Sequence, residues 1–231
     1  HRDLHSFPTR RSSDLENDLG EEGLARSVVV AVTSDMPAIL RIQGTKVAVT
    51  IAEFFRSQGL DVVLMMDSIT RLAMAQREVG LSAGEPASTK GYTPSVFAMM
   101  PKILERAGTS GKGTITGIYT VLVEGDDVNE PVSDTVRSII DGHIVLTRKL
   151  ANRGHFPAID ILQSISRLQK EVVDVTRRKI VSDLIGLYAD FSYAEGMINI
   201  CAYAKGSSQR IDMAISRIDG INSFLRQGIV E

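Results

Sequence analysis

The feature that most constrains the fold is an alternation of short apolar runs with longer helical stretches. The strand-length runs are rich in β-branched residues, and the stretches between them repeat apolar side chains at helical spacing. The predicted strands are Val28–Thr33, Asp61–Met66, Thr114–Val123, His143–Leu146 and an extended segment at Pro157–Ser166. The predicted helices are Pro37–Gln58, Ser68–Val79, Pro94–Ala107 and Val132–Ile140. This order predicts an α/β fold with a mostly parallel sheet covered by helices on both faces.

The pattern changes near Lys170. From there to Gln227 the periodicity is helical only, with predicted breaks at Gly186, Glu195–Gly196 and Lys205–Ser208. The sequence therefore predicts an α/β core over residues 16–169 and a small all-helical domain over residues 170–231.

The first fifteen residues, HRDLHSFPTRRSSDL, do not fit either region. They show no hydrophobic period, and they lack the apolar core of a signal peptide. Asp3 and Asp14 argue against a transit peptide. The string matches the in-frame translation of a widely used sequencing adapter. We expect residues 1–15 to be non-native, with the natural sequence starting near Glu16 and its upstream part missing.

Composition excludes several classes of protein. The 26 Lys and Arg nearly balance 28 Asp and Glu, without a basic block, and Trp is absent. These features argue against a nucleic-acid surface and against an aromatic platform for single strands. A single cysteine, Cys201, excludes an internal disulfide framework and fits a reducing cytoplasm. No apolar run reaches the roughly 18 residues of a membrane span.

The sharpest local signal is the apolar run Val62–Met66 followed by Asp67. A buried parallel strand delivers such a carboxylate to the crevice at its carboxyl end, where P-loop NTPases hold Mg²⁺ beside the phosphates. The alternative is structural, because Asp67 could equally cap the helix that starts near Ile69. Pattern alone leaves both roles open.

A phosphate-binding loop of the form G-x-x-x-x-G-K-[ST] does not occur in the 231 residues. The segment Gly111–Thr114 resembles its end, but Gly113 follows Lys112 and Arg106 occupies the place of the first glycine. We expect a turn there. The sequence also lacks a G-x-G-x-x-G loop after a strand, a G-x-S-x-G elbow and histidines at metal-ligand spacing.

Five long segments resemble the flagellar and type III secretion export ATPases, relatives of the rotary ATP synthase catalytic subunits. They are GLARSVVVAVTSDMPAILR, VVLMMDSITRLAMAQREVGLSAGEP, KGYTPSVFAMMPKILERAG, TVLVEGDDVNEPVSDTVRSIIDGHIVL and GHFPAIDILQSISR. The similarity runs from Glu16 to Glu231. It implies the second half of a RecA-like P-loop NTPase core, then a C-terminal helical domain, in a homohexameric ring with each nucleotide between neighbouring subunits.

The resemblance also assigns roles to individual residues. Asp67 becomes the Walker B carboxylate that holds the metal, and Arg71, one helical turn on, supports the phosphates. Arg167, in SISR, is the arginine finger for the adjacent subunit. Phe156, in GHFPAID, packs on adenine, and Tyr203, in INICAYAKG, lies on the far side of the nucleotide. The structural alternatives are a surface arginine for Arg71 or Arg167 and a core aromatic for Phe156.

Cofactors and partners follow from the same resemblance. ATP and Mg²⁺ are the implied cofactors. The loops Ala83–Tyr92 and Glu124–Pro131 resemble loops that face the central pore, where a coiled-coil stalk protein can lie. The other implied partners are export gate and regulator proteins, export substrates and chaperones. The expected location is the cytoplasmic face of the inner-membrane export apparatus, peripheral to the membrane at most.

The sequence also departs from the family pattern. The family's P-loop Lys and Thr and its water-activating Glu belong upstream of Glu16, and neither Glu78 nor Glu85 inherits that last role. We expect the intact protein to hydrolyse ATP for flagellar or type III export, and the present chain alone to be inactive. The alternative is a non-catalytic RecA-like ring subunit acting as a scaffold. A ring helicase is disfavoured by the surface composition.

Overall fold

The computed structural model describes residues 17–127 and 129–228. The segment predicted to be non-native, residues 1–15, lies outside them. Backbone contacts divide the chain into two compact units, one up to Ile139 and one from Ile140 onward. The sequence-based division between residues 169 and 170 stays a prediction.

The first unit alternates helices and strands as expected. Its elements are α1 (residues 17–25), α2 (Ala38–Ser57), β1 (Asp61–Met66), α3 (Ile69–Ser82), α4 (Pro94–Leu104), β2 (Gly108–Thr109), β3 (Thr114–Tyr119) and α5 (Pro131–Ile139). Single turns of 3₁₀ helix lie at Thr89–Gly91 and Glu124–Asp126.

The sheet of this unit has the order β1-β3-β2. Strands β1 and β3 run parallel, in register from Asp61 opposite Thr114 to Met66 opposite Tyr119. A parallel pair needs a long crossover, which α3 and α4 supply. The core forms where helices α2, α3, α4 and α5 pack on one another, and its largest fully buried apolar side chains are Val49, Ile69, Val96, Met100, Val132 and Val136. Strand β2 is a short antiparallel addition at the edge.

Two strand predictions are corrected here. Val28–Thr33 is not a strand, because it has no ladder partner among the described residues, and Val28 and Val29 are 58% and 54% exposed. Val32 in this run lies close to helix α2, where Gly44 leaves room for it. Strand β3 ends at Tyr119 rather than Val123, since the backbone N–H of Leu122 donates to the Thr70 hydroxyl instead of a neighbouring strand.

The second unit contains a two-stranded antiparallel sheet and helices. Its elements are β4 (Gly142–Leu146), α6 (Arg148–Ala151), β5 (Ile159–Ser166), α7 (Gln169–Val172), α8 (Val175–Asn199) and α9 (Gln209–Leu225). Helices α8 and α9 pack on each other along a seam that includes Ala194, Ala214, Ile218 and Ile221.

The breaks predicted at Gly186 and Glu195–Gly196 are wrong, because α8 continues through both glycines. A glycine inside a helix costs only about 1 kcal/mol relative to alanine, which packing against α9 can offset. The break at Lys205–Ser208 is confirmed, and Gly206 there has a φ of 94°. In the described residues, no helix combines the length and the apolarity needed to cross a bilayer.

Candidate nucleotide site

Asp67 lies directly after the carboxyl end of β1, as the sequence predicts. Two backbone hydrogen bonds hold the chain on either side of it: Thr120 N–H donates to the Met66 carbonyl and Ile69 N–H donates to the Thr120 carbonyl, both at 3.0 Å. The side chain of Asp67 is exposed. The parallel pair therefore presents this carboxylate at the sheet edge where α/β proteins bind ligands.

Ser68, not Asp67, caps helix α3. Its hydroxyl accepts a hydrogen bond from the Arg71 backbone N–H at 3.4 Å, and its backbone is extended. The alternative role of Asp67 as the cap of α3 is therefore wrong, because Ser68 occupies the capping position.

Arg71 lies in the first turn of α3 and is exposed, whereas its neighbours Thr70 and Leu72 are buried. It lines a cavity of about 320 Å³ together with residues of α3 and of the segment after β3. The other lining residues are Thr70, Met74, Leu122, Val123, Glu124 and Glu130. Thr70 fixes the wall, because its hydroxyl donates to the Leu122 carbonyl at 3.1 Å.

The acidic residues that were left unassigned have structural partners. Glu78 forms an ion pair with Arg41 at 2.6 Å. Glu85 accepts the Ser95 backbone N–H at 3.0 Å, in the first turn of α4. The Gly111–Thr114 segment is a turn, closed by Ser110 N–H donating to the Gly113 carbonyl at 2.9 Å. None of these groups is shaped as a catalytic base or as a phosphate loop.

Two side-chain contacts join the loops Ala83–Tyr92 and Glu124–Pro131, which the family resemblance predicts to face a central pore. Lys90 Nζ lies 3.1 Å from Asp127 Oδ2 at an exposed position. The Tyr92 hydroxyl donates to Glu130 Oε1 at 3.2 Å in the interior. Burial, and then the neighbouring Glu130 carboxylate, raise the pKa of Tyr92 to about 12. The hydroxyl therefore stays protonated as a donor.

Phe156 lies in the loop between α6 and β5 with 57% of its surface exposed, so the core alternative for this side chain is wrong. Its carbonyl accepts the Gln227 backbone N–H at 3.0 Å, which ties the loop to the segment after α9. His155 beside it is buried, and burial, followed by the charge of Arg226, lowers the pKa of its imidazole. The loop thus combines a buried imidazole at His155 with an exposed aromatic ring at Phe156.

Arg167 follows directly on β5, and its backbone N–H donates to the Asp141 carbonyl at 2.7 Å, just before β4. Its side chain is exposed. Phe156 precedes the same strand. Strand β5 is irregular between these two ends, because Val145 pairs with Asp160 whereas His143 pairs with Ile165.

Tyr203 is committed to the connection between α8 and α9. Its hydroxyl lies 3.1 Å from the Ser208 carbonyl and 3.0 Å from Asp212 Oδ1, and the Gly206 N–H donates to Asp212 Oδ2 at 2.9 Å. Ser208 in turn caps α9. Only the ring of Tyr203, not its hydroxyl, remains available for a ligand.

Family models match almost all of the chain. The model for the ATP synthase alpha/beta family, nucleotide-binding domain, matches residues 10–166. The chain belongs to this family. A second model, the T3SS EscN ATPase C-terminal domain, matches residues 173–231. The RecA-like fold expected from the sequence is therefore confirmed, and so is the resemblance to the export ATPases.

Individual relatives agree with the family models. The flagellum-specific ATP synthase of Bacillus subtilis is 54% identical over 94% of this chain and 50% of its own length. The assembled ATPase EscN of the enteropathogenic E. coli type III secretion system superposes with a TM-score of 0.92 at 47% identity, over 95% of this chain and 53% of its own. EscN in complex with its central stalk EscO gives 0.85 at 45% identity, over 95% and 52%. The chain thus spans about half the length of the relatives it matches.

Two features of this ATPase-family site were missed by sequence reasoning. The capping role of Ser68 was assigned to Asp67 as an alternative, although a serine before a helical run is a strong signal. The Tyr92–Glu130 pair was not anticipated, since it joins residues 38 apart in the sequence. The only available signals were a tyrosine in the Gly-rich loop and a glutamate before Pro131.

Proposed function

We propose that the intact protein hydrolyses ATP to energise flagellar or type III protein export, as one subunit of a homohexameric ring. The observation that carries this proposal is the position of Asp67 at the end of β1 in a chain of the ATP synthase alpha/beta family. The similarity to a flagellum-specific ATP synthase and to the ATPase EscN supports the export role.

The residues of the first unit suit a hydrated Mg²⁺ beside phosphates. Mg²⁺ keeps several waters and takes one or two carboxylates plus phosphate oxygens, rather than a cage of protein ligands. Asp67 supplies one carboxylate, and the described residues contain no cluster of three ligating side chains. When bound, the cation neutralises charge that develops on the phosphates. Arg71, in the next helical turn, is the proposed phosphate-supporting cation.

The second unit carries the parts that favour a ring. Phe156 offers an exposed ring for adenine, and Arg167 is proposed to reach the γ-phosphate of the neighbouring subunit's nucleotide. Phe156 precedes β5 and Arg167 follows it, so the two side chains belong to opposite ends of this strand. Tyr203 would contribute ring contact only, since its hydroxyl holds the α8–α9 connection.

The proposed partners follow the relatives. EscN has been solved assembled and with its central stalk EscO, and we propose a homohexamer and a stalk partner for this protein. The joined loops Ala83–Tyr92 and Glu124–Pro131 are the proposed stalk-facing elements. Export gate and regulator proteins, substrates and chaperones complete the proposal, with a location at the cytoplasmic face of the inner membrane. The division of the chain into residues 16–169 and 170–231 belongs to it as well.

The first experiment is to amplify the genomic sequence upstream of Glu16 and express the full reading frame. We expect a G-x-x-x-x-G-K-[ST] loop upstream, Mg²⁺-dependent ATP hydrolysis by the full-length protein, and loss of that activity in Asp67→Asn. The 231-residue chain alone should not hydrolyse ATP. A full-length protein without the loop and without activity would instead be a non-catalytic ring scaffold.

A further inference from the structure

Glu130 presents an unusual combination of burial and incomplete hydrogen bonding. Its residue surface is only 5% exposed. Oxygen Oε1 accepts the Tyr92 hydroxyl at 3.2 Å, whereas Oε2 is buried without a hydrogen-bond partner among the described residues. Buried polar atoms without a hydrogen-bond partner are rare in folded proteins, so this oxygen calls for an explanation.

The cavity lined by Glu130 contains one side chain that could be this partner. Of its seven lining residues, Arg71 alone carries a positive charge, while Met74, Leu122 and Val123 form an apolar wall. Arg71 and Glu130 both line this cavity, and the described residues show no ion pair between them.

We propose that Glu130 Oε2 is an alternative acceptor for the Arg71 guanidinium, in competition with nucleotide phosphate. This inference rests on the proposed function, in which Arg71 supports the phosphates. Glu130 is then a positioning residue: it does not touch the nucleotide but withdraws Arg71 into the cavity when no phosphate holds it. A guanidinium carries five N–H donors, so the proposed competition is positional: reaching Oε2 draws Arg71 away from the phosphates.

The same carboxylate connects this choice to the stalk-facing loops. Glu130 Oε1 is held by Tyr92, and the adjacent Lys90–Asp127 pair joins the two loops a second time. Arg77 lies 5.3 Å from the centre of the Tyr92 ring, which further fixes that side chain. If Arg71 exchanges phosphate for Glu130, the surroundings of the Glu130 carboxylate change. This carboxylate belongs to one loop and is hydrogen-bonded by Tyr92 of the other.

The test in the full-length protein is a double-mutant cycle on the affinity for a non-hydrolysable ATP analogue with Mg²⁺. Glu130→Gln keeps an acceptor for Tyr92 and removes the competing charge, so we expect about five-fold tighter binding. In the Arg71→Gln background the same change should have no effect. Tyr92→Phe removes the hydrogen bond to Oε1 but keeps the charge of Glu130, so it should not tighten binding.

The proposal is overturned if Glu130→Gln has the same effect with and without Arg71, or if Tyr92→Phe reproduces it. A second cycle on urea unfolding of the 231-residue chain needs no nucleotide. It should show coupling between positions 71 and 130 equivalent to a several-fold change in the unfolding equilibrium. Additive effects would mean that Oε2 binds water only. Should no variant of the full-length protein bind nucleotide, the proposed function fails, while this second cycle still decides the pair.

Discussion

The two units of the molecule bury their apolar side chains to different degrees. The first unit encloses large residues such as Val49, Val96 and Met100 almost completely. In the described part of the second unit, the buried apolar residues are limited to Ala194, Ala214, Ile218 and Ile221. Several of its large apolar residues are instead exposed, with Val172 at 75%, Tyr193 at 82%, Ile200 at 75% and Phe224 at 73%.

The two units therefore hold their proposed site residues in different ways. In the first unit, Asp67 and Arg71 are fixed by a parallel strand pair and a helix anchored in a dense core. In the second unit, individual backbone hydrogen bonds hold the loops, such as Gln227 N–H to the Phe156 carbonyl. Extensive exposed apolar surface is typical of regions that contact other protein. The second unit is therefore the one we expect to gain most from assembly.

The largest effect should come from the same substitution made in each unit. Met100→Ala removes a side chain that is 1% exposed, and we expect a loss of about 2–5 kcal/mol in the free energy of unfolding. Met213→Ala alters a side chain that is 57% exposed, and the loss should stay near 0.5 kcal/mol. Urea unfolding of the 231-residue chain measures both. Equal losses would break the comparison.

How well the sequence predicted each region follows the same division. Strand β1, the position of Asp67 directly after it and helix α3 were predicted correctly because a short apolar run and a helical period are local signals. The strand at Val28–Thr33 failed because a strand exists only with a partner, which local pattern does not reveal. The uninterrupted α8 was missed because packing against α9 overrides the glycine signal. The Tyr92–Glu130 pair and the cavity at Arg71 depend on contacts between residues that are far apart in the sequence, so no local pattern predicts them.

A smaller effect is expected from two ion pairs of different exposure. Arg106 Nε donates to Glu53 Oε1 at 2.8 Å, a second nitrogen donates to Oε2, and each side chain is 30% exposed. We expect Arg106→Gln to cost about 1 kcal/mol at pH 7. Arg210→Gln should cost less, because Arg210 is 77% exposed in its pair with Asp190. Thermal unfolding of both variants makes the comparison.

The lowered pKa of Glu53 sets the sign of the pH dependence of the stability that the Arg106–Glu53 pair contributes. The hydrogen bond from Arg106 lowers the pKa of this carboxyl, so its stabilisation is present above the unfolded value and is lost as the pH falls through the folded one. The cost of Arg106→Gln should therefore shrink in acid. A cost that is constant from pH 7 to pH 3 would contradict the assignment.

The smallest effect is the pH dependence of stability that comes from His155, the buried residue next to Phe156. Burial lowers the pKa of His155, so the folded state binds fewer protons than the unfolded state. Stability should be fully present above the ordinary histidine value of about 6.5 and should fall as the pH drops through the folded value. Unfolding at pH 7.5 and pH 5.5 measures this. His155→Gln should remove part of the difference, whereas His143→Gln, at a position that is not buried, should leave it unchanged.

The most direct test of the account is ATP turnover by the full-length protein with Arg167→Ala. An arginine finger contributes roughly 10³ to 10⁵ in rate through transition-state charge, so turnover should fall at least about 1,000-fold while nucleotide binding is retained. Arg177→Ala is the matched control, because Arg177 is exposed and pairs only locally with Asp174. Wild-type turnover in Arg167→Ala would contradict the placement of a catalytic arginine at the end of β5.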